Sequence, residues 1–329
     1  MKAVKTFDLF QKISYDNINQ PTLLGGLLSI SSITIMLFLL FTEISNYFTP
    51  LITKQSIIYQ TSNGTIPLSF QIKTPNSPCA IISIDQEDLI GKHNINIQGE
   101  SIVKTRLSNK GNVLQSKNFS PYQTELLNEA ILNGENCVVN AVIEINKVPG
   151  DFHISYHEYR TVIDALRRDN STKNTLKKLK LNHELLSLTF GDEDINNYII
   201  RKYAMSDVIK GFIQKNVVVF DDEDPDTIYN YDYYLKIIPF IFIDENTNEK
   251  LYAYEYSLSS TSHKNEEESE MPIIMFNYDF SPITMKVTLH SKSLLQFLTH
   301  VCAIVGGVFV IFSIVNSILV HLFINELNK

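Results

Sequence analysis

His153 and His157 are four residues apart in this 329-residue chain, a spacing that would put two imidazoles on one face of a helix and let them share a metal ion. The surrounding residues do not read as helical. Phe152-His153-Ile154-Ser155-Tyr156 alternates as a strand does, which keeps both rings on one face but about 13 Å apart, too far for one ion. Asp85, Glu87 and Asp88 offer carboxylates for acid–base work, yet their place between Ala80–Ile84 and Gly91 predicts a solvated turn. The run Asp221–Asp226 has oxygens suited to calcium but no ligand spacing, and reads as a solvated loop. There is no Gly-rich phosphate loop, G-x-S-x-G elbow or Cys-x-x-Cys pair. The sequence thus assigns no catalytic residue, no metal ligand and no cofactor, and an enzyme is not expected.

Three cysteines are too few for a disulfide scaffold. A formal charge of −8, with short acidic blocks such as Glu266-Glu267-Glu268, argues against nucleic-acid binding. The fold must rest on burial, for which 44% hydrophobic residues suffice.

Much of that hydrophobicity is concentrated in two runs. Residues 23–41, LLGGLLSISSITIMLFLLF, carry no charge and match a hydrocarbon core of about 30 Å at about 1.5 Å per residue. Residues 294–323 form a second uncharged run, long enough to span with some tilt. The first run exceeds a signal-peptide core and no small-x-small cleavage site follows it, so it reads as a signal anchor. Lys2, Lys5 and Lys12 precede it and only Lys54 follows closely, a bias that keeps the N-terminus in the cytosol. Lys286 and Lys292 before the second run argue the other way; the first helix is given precedence because it usually dominates topology. The expected organisation is a cytosolic tail (1–22), a transmembrane helix (23–41), a lumenal domain (42–293), a second transmembrane helix (294–323) and a cytosolic tail (324–329).

The sequons at Asn63, Asn118 and Asn170 all fall in the expected lumenal segment, which makes them glycosylation candidates. Cys79 and Cys137 fall there too, while Cys302 lies inside the second span. An oxidising lumen favours a Cys79–Cys137 disulfide, with two buried thiols as the alternative. Gly25-Gly26 and Gly306-Gly307 are small pairs at which membrane helices can approach closely, although glycine is also simply common in such helices.

Between the spans, apolar and polar residues alternate with period two: Ile66, Leu68, Phe70 and Ile72; Val139, Ala141, Ile143 and Ile145; Tyr252, Tyr254, Tyr256 and Leu258; Ile283, Met285, Val287 and Leu289. Many short strands of this kind predict a mainly β protein, a β-sandwich-like lumenal domain flanked by two transmembrane helices. Helix is expected only near Tyr159–Arg168 and between Asp192 and Ile213.

Several unlinked stretches together resemble one family, the cargo receptors of the ER-Golgi intermediate compartment (the ERGIC or Erv family). They are Phe7-Asp8-Leu9-Phe10-Gln11-Lys12, Gln20-Pro21-Thr22, Glu43-Ile44, Ser83-x-Asp85-x-x-Asp88-x-x-Gly91, Leu188-Thr189-Phe190-Gly191, Tyr278-Asp279-Phe280-Ser281-Pro282-Ile283 and the second span from Phe297 to Phe309. With them comes Asn146-Lys147-Val148-Pro149-Gly150-Asp151-Phe152-His153, where Asn146, Lys147, Gly150, Phe152 and His153 match the family's lumenal signature. The chain lacks the extra Cys-x-x-Cys loop of one branch and is similar to the smaller branch, called protein 1.

That resemblance implies a multi-pass protein with both termini cytosolic, cycling between the endoplasmic reticulum, the intermediate compartment and the Golgi in vesicles. Its implied partners are other family members in a hetero-oligomer, vesicle coat proteins at the cytosolic tails and lumenal protein cargo. His153 and His157, beside Lys147, are candidate groups for pH-controlled release, since histidine changes charge between about pH 5 and 8. The alternative reading is an accessory glycoprotein subunit of a membrane transporter, of the flippase-subunit type.

Overall fold

In the computed structural model the described residues are 9, 12–13, 19–20, 23–58, 64–91, 93–116, 124–168, 179–203, 218–220, 227–264 and 271–327. The sequon asparagines Asn63, Asn118 and Asn170 and the acidic run Asp221–Asp226 lie outside them. The chain forms two compact units, one of residues 1–53, 244–247 and 289–329, the other of 54–243 and 248–288.

Five helices and sixteen strands make up the described chain. A two-residue pair, β1 (Lys12–Ile13) and β2 (Asn19–Gln20), precedes α1 (Leu23–Phe48). Then come β3 (Leu51–Ile58), β4 (Thr65–Thr74), β5 (Ser83–Asp88), β6 (His93–Asn94), β7 (Ile102–Leu107), β8 (Val113–Ser116), α2 (Thr124–Leu132), β9 (Asn136–Asn146), β10 (Gly150–Ser155) and α3 (Arg160–Arg168). The remainder is β11 (His183–Phe190), α4 (Glu193–Lys202), β12 (Val218–Phe220), β13 (Tyr229–Asp244), β14 (Glu249–Lys264), β15 (Ile273–Phe280), β16 (Ile283–His290) and α5 (Leu294–Leu327).

The strands form two principal sheets. One runs β12-β11-β4-β9-β7-β8 and is antiparallel throughout its β4, β7, β8, β9, β11 and β12 pairings. The other runs β3-β16-β13-β15-β10-β5-β6, with β14 also on β13, and is mixed because β13 and β15 are parallel. β4 and β9 show why the alternation was legible. They pair along ten residues, and Ile66, Leu68, Phe70 and Ile72 are buried with Val139, Ala141, Ile143 and Ile145 while the intervening positions are not.

Where the two sheets face each other the core is aromatic. Tyr233, Phe276 and Phe152 are direct cross-strand partners on β13, β15 and β10, stacked with ring centroids 4.5 Å apart at each step. Phe70 of the other sheet closes the stack on Phe152 at 5.2 Å. Offset stacks of this kind add about 0.5–1.5 kcal/mol per pair beyond burial. Phe152 is therefore a core residue with no exposed surface.

The period-two reading was less exact at the sheet margins. Tyr252 and Ile283 are 49% and 47% exposed, while Ala253, Thr284 and Thr288 of the opposite parity are buried. The helix expected near Tyr159–Arg168 corresponds to α3, and the one expected between Asp192 and Ile213 corresponds to α4 in its first part, residues 204–213 lying outside the described ones. Asp192 caps α4, its carboxylate accepting from the Asp194 and Ile195 N–H groups at 2.8 and 3.2 Å, and Arg201 and Lys202 occupy the last turn.

In the smaller unit, α1 and α5 carry the two apolar runs and are long enough to cross a membrane. Phe38, Phe41 and Ile311 are more than half exposed, as lipid-facing side chains would be. Gly25, Gly26, Ser29 and Ser32 are the buried positions of α1. Gly306 and Gly307, by contrast, face open space within this chain. Where the C-terminal end of α1 meets the start of α5, the contacts include Tyr47 on Phe297, the Lys292 ammonium donating to the Asn46 carbonyl at 2.7 Å, and Glu43 with His300 Nδ1 at 2.9 Å.

Candidate functional site

Two stretches that lie about 60 residues apart, Ser83–Asp88 and Gly150–Ser155, become neighbours as β5 and β10, with Asp85 opposite His153 and Asp88 opposite Gly150. Alternation then divides their side chains between two faces. Ile84, Gln86 and Asp88 share one face with Phe152 and Ile154; Ser83, Asp85 and Glu87 share the other with Asp151, His153 and Ser155. The carboxylates expected in a solvated turn are instead strand residues, Asp85 and Asp88 being only 4% and 5% exposed. The turn comes after them and is closed by Gly91, whose N–H donates to the Asp88 carbonyl at φ +90°.

On the polar face His153 lies between two carboxylates. Its Nε2 is 3.2 Å from Asp85 Oδ2 and its Nδ1 is 3.3 Å from Asp151 Oδ2. The other Asp85 oxygen accepts the Asn96 N–H at 2.6 Å, and the Ser83 and Ser155 hydroxyls approach Oδ2 at 3.4 Å. Burial disfavours the Asp85 charge, but the bonds from His153, Asn96 and Ser83 outweigh it and hold the carboxyl below its ordinary range. Burial likewise opposes charge on His153; its two carboxylate partners overcome this and raise its pKa to about 9. These partners favour the charged form of His153 across pH 5–8, which argues against the pH-controlled role considered for it in the sequence. Lys104 reaches toward Asp85 from β7 of the other sheet while donating to the Ile82 carbonyl; burial lowers its pKa to about 8 although the Asp85 charge opposes this.

His157 is the residue whose position sequence reasoning misjudged. An unbroken strand would hold it about 13 Å from His153. The strand ends at Ser155, however; Tyr156 takes φ −107° and ψ 12°, and His157–Tyr159 form a 3-10 turn that doubles back. The two imidazole centroids are consequently 6.1 Å apart, and one ligand atom from each of Asp85, His153 and His157 lies within 4.8 Å of the others.

The remaining signature residues position this strand pair. Asn146 donates to Asp88 Oδ2 at 2.6 Å, and the other Asp88 oxygen accepts the Ile90 N–H at 2.9 Å. The Lys147 N–H reaches the Gly64 carbonyl at 3.4 Å. A Cβ on Gly150 would sit 2.6 Å from the Glu87 carbonyl oxygen and 2.7 Å from the Tyr278 hydroxyl, so only glycine allows β10 to lie this close to both neighbours. Cys79 and Cys137 are joined in a disulfide with Cα atoms 5.0 Å apart, which ties the turn before β5 to the start of β9.

Sequence reasoning also passed over His183, one of six histidines in the expected lumenal segment. It is 1% exposed at the head of β11, with Nδ1 donating to the Leu181 carbonyl at 2.7 Å and Nε2 accepting from the Tyr233 hydroxyl at 2.6 Å. Its parity with Leu185 on an alternating strand was the available signal.

Residues 103–316 match the family model described as Endoplasmic reticulum vesicle transporter, and residues 4–95 match that of the Endoplasmic Reticulum-Golgi Intermediate Compartment (ERGIC). The chain belongs to this vesicle-transporter family. It is 27% identical over 319 residues to ER-Golgi intermediate compartment protein 1 of Danio rerio, covering 95% of this chain and 92% of that one. It is 24% identical over 348 residues to the ER-derived vesicles protein ERV41 of Saccharomyces cerevisiae, covering 92% and 88%. The crystal structure of Erv41p aligns with 71% of this chain and 99% of its own at 18% identity, with a TM-score of 0.47. As a vesicle transporter the chain is a membrane protein of ER–Golgi transport, not an enzyme.

Proposed function

We propose that this vesicle transporter is a receptor, or a receptor subunit, that cycles between the endoplasmic reticulum and the Golgi and presents its β domain to lumenal cargo or to a partner receptor. The observation that carries this reading is the extent of the family match, which takes in α1, the greater part of α5 and nearly all of the chain between them. In the proposed topology α1 and α5 span the membrane, with residues 1–22 and 324–329 cytosolic and 42–293 lumenal. The lysines before α1 and the sequons at Asn63, Asn118 and Asn170 support this orientation. Residues 1–22 and 324–329 then lie on the side of the membrane where vesicle coats assemble. Ring stacking and hydrogen bonding commit Phe152 and Asn146 to the fold, so recognition falls to exposed surface rather than to the signature's apolar residues.

Purification of the intact chain in mild detergent, followed by mass spectrometry of what accompanies it, tests the proposal. Recovery of a second vesicle-transporter family member supports a receptor complex. Recovery of a multispan pump instead would establish the transporter-subunit alternative. Endoglycosidase-sensitive mass at the sequons, with protease-accessible termini in sealed microsomes, is the outcome expected of the topology.

A further inference from the structure

We infer that Asp85, His153 and His157 form a binding site for one divalent transition-metal ion, with zinc the best match to two imidazoles and one carboxylate. Zinc takes nitrogen and oxygen ligands at about 2.0–2.2 Å in tetrahedral array, which sets neighbouring ligand atoms roughly 3.4 Å apart. Asp85 Oδ2 and His153 Nε2 already stand at 3.2 Å, and the whole trio lies within 4.8 Å. His157 is exposed on its turn, so a rotation of its side chain can close the remaining gap.

The surroundings of the trio carry the inference further than its spacing. Metal-bound histidine characteristically donates its second ring nitrogen to a carboxylate, which fixes the ring and makes the free nitrogen a better ligand. His153 has that arrangement, with Asp151 on Nδ1 and Nε2 turned toward Asp85. Asp85 is oriented in the same way, since the Asn96 N–H holds Oδ1 while Oδ2 faces His153, with the Ser83 and Ser155 hydroxyls 3.4 Å from it. Asn96 also carries a buried side-chain oxygen that no donor among the described residues reaches. With three protein ligands and an exposed edge at His157, a fourth position remains for water or for a donor from a bound protein. Lys104 opposes a second cation near Asp85 but is held by the Ile82 carbonyl, outside the ligand set.

The test is titration of Zn2+ alone into the chelator-stripped intact chain in detergent, against a chromogenic competitor. One equivalent should bind. His157→Gln, an exposed change that leaves the core untouched, should weaken binding about 100-fold, with Asp85→Asn at least as damaging. Asp151→Ala, which removes only the orienting partner of His153, should cost about 10- to 100-fold. Binding that survives His157→Gln unchanged would mean other surface histidines hold the ion, and it overturns the site. So does the absence of stoichiometric binding by the unmodified chain at micromolar Zn2+.

Discussion

Asn146 and Asp88, 58 residues apart in sequence, meet at 2.6 Å, and through that bond the end of β9 holds the end of β5. Asp88 is 5% exposed, so a carboxylate deprived of this donor would stay largely out of water. Replacing Asn146 with Leu should cost about 1–3 kcal/mol. For a domain of this size each kcal/mol lowers Tm by about 2–4 °C. Thermal unfolding of the detergent-solubilised chain measures this, and an unchanged Tm would show that the bond is not holding β5. Asn146→Asp should be worse at pH 7 than at pH 5, because two carboxylates would then compete for one buried position.

Gly150→Ala should be more damaging than an ordinary strand substitution. The added methyl meets the Glu87 carbonyl oxygen at 2.6 Å and the Tyr278 hydroxyl at 2.7 Å. Tyr278→Phe relieves only the second contact, so the double variant should remain well below wild type in stability. Full rescue by Tyr278→Phe would show that the backbone approach of β5 to β10 can relax.

These two sites show how far the sequence alone could be read. Alternation identified β4 and β9 because each lies between two other strands with one face in the core, so polarity follows parity along its length. It misplaced Tyr252 and Ile283 on β14 and β16, where burial does not follow parity along the strand. Asp85 looked like a turn residue because its partners, His153 and the Asn96 N–H, lie 68 and 11 residues away, beyond any local window. His157 was lost to a single backbone torsion at Tyr156 that no residue type announced. The resemblance found the signature, but not that its alternate residues serve opposite faces.

The Cys79–Cys137 disulfide closes a loop of 58 residues that contains Asp85 and Asp88. Replacing both cysteines with alanine should cost about 2–5 kcal/mol. Because β5 lies inside that loop, the first amides to lose hydrogen-exchange protection should be those of residues 83–88. Peptide mapping without reductant should recover the crosslinked pair and alkylated Cys302; two alkylated thiols at 79 and 137 would contradict the structure.

Histidine burial gives the β domain two pH dependences of opposite sign. His183 is buried neutral, and the loss of solvent lowers its pKa to about 4 against about 6.5 unfolded. The unfolded chain therefore takes up the proton first, and the stability present above pH 6.5 is lost as pH falls toward 4, by up to about 3 kcal/mol. His153 is the reverse: despite burial its carboxylate partners raise it to about 9, so its contribution is complete below pH 6.5 and is lost as pH rises through 9. His183→Gln separates the two, since glutamine can donate to the Leu181 carbonyl and accept from Tyr233 without titrating. Urea midpoints of the chelator-stripped chain should fall less between pH 7 and 4.5 in His183→Gln than in wild type, while the decline above pH 8 is the same in both. Parallel profiles on the acid side would mean that His183 takes up its proton without unfolding the sheet around it, and that the Tyr233 hydroxyl can turn to accept it.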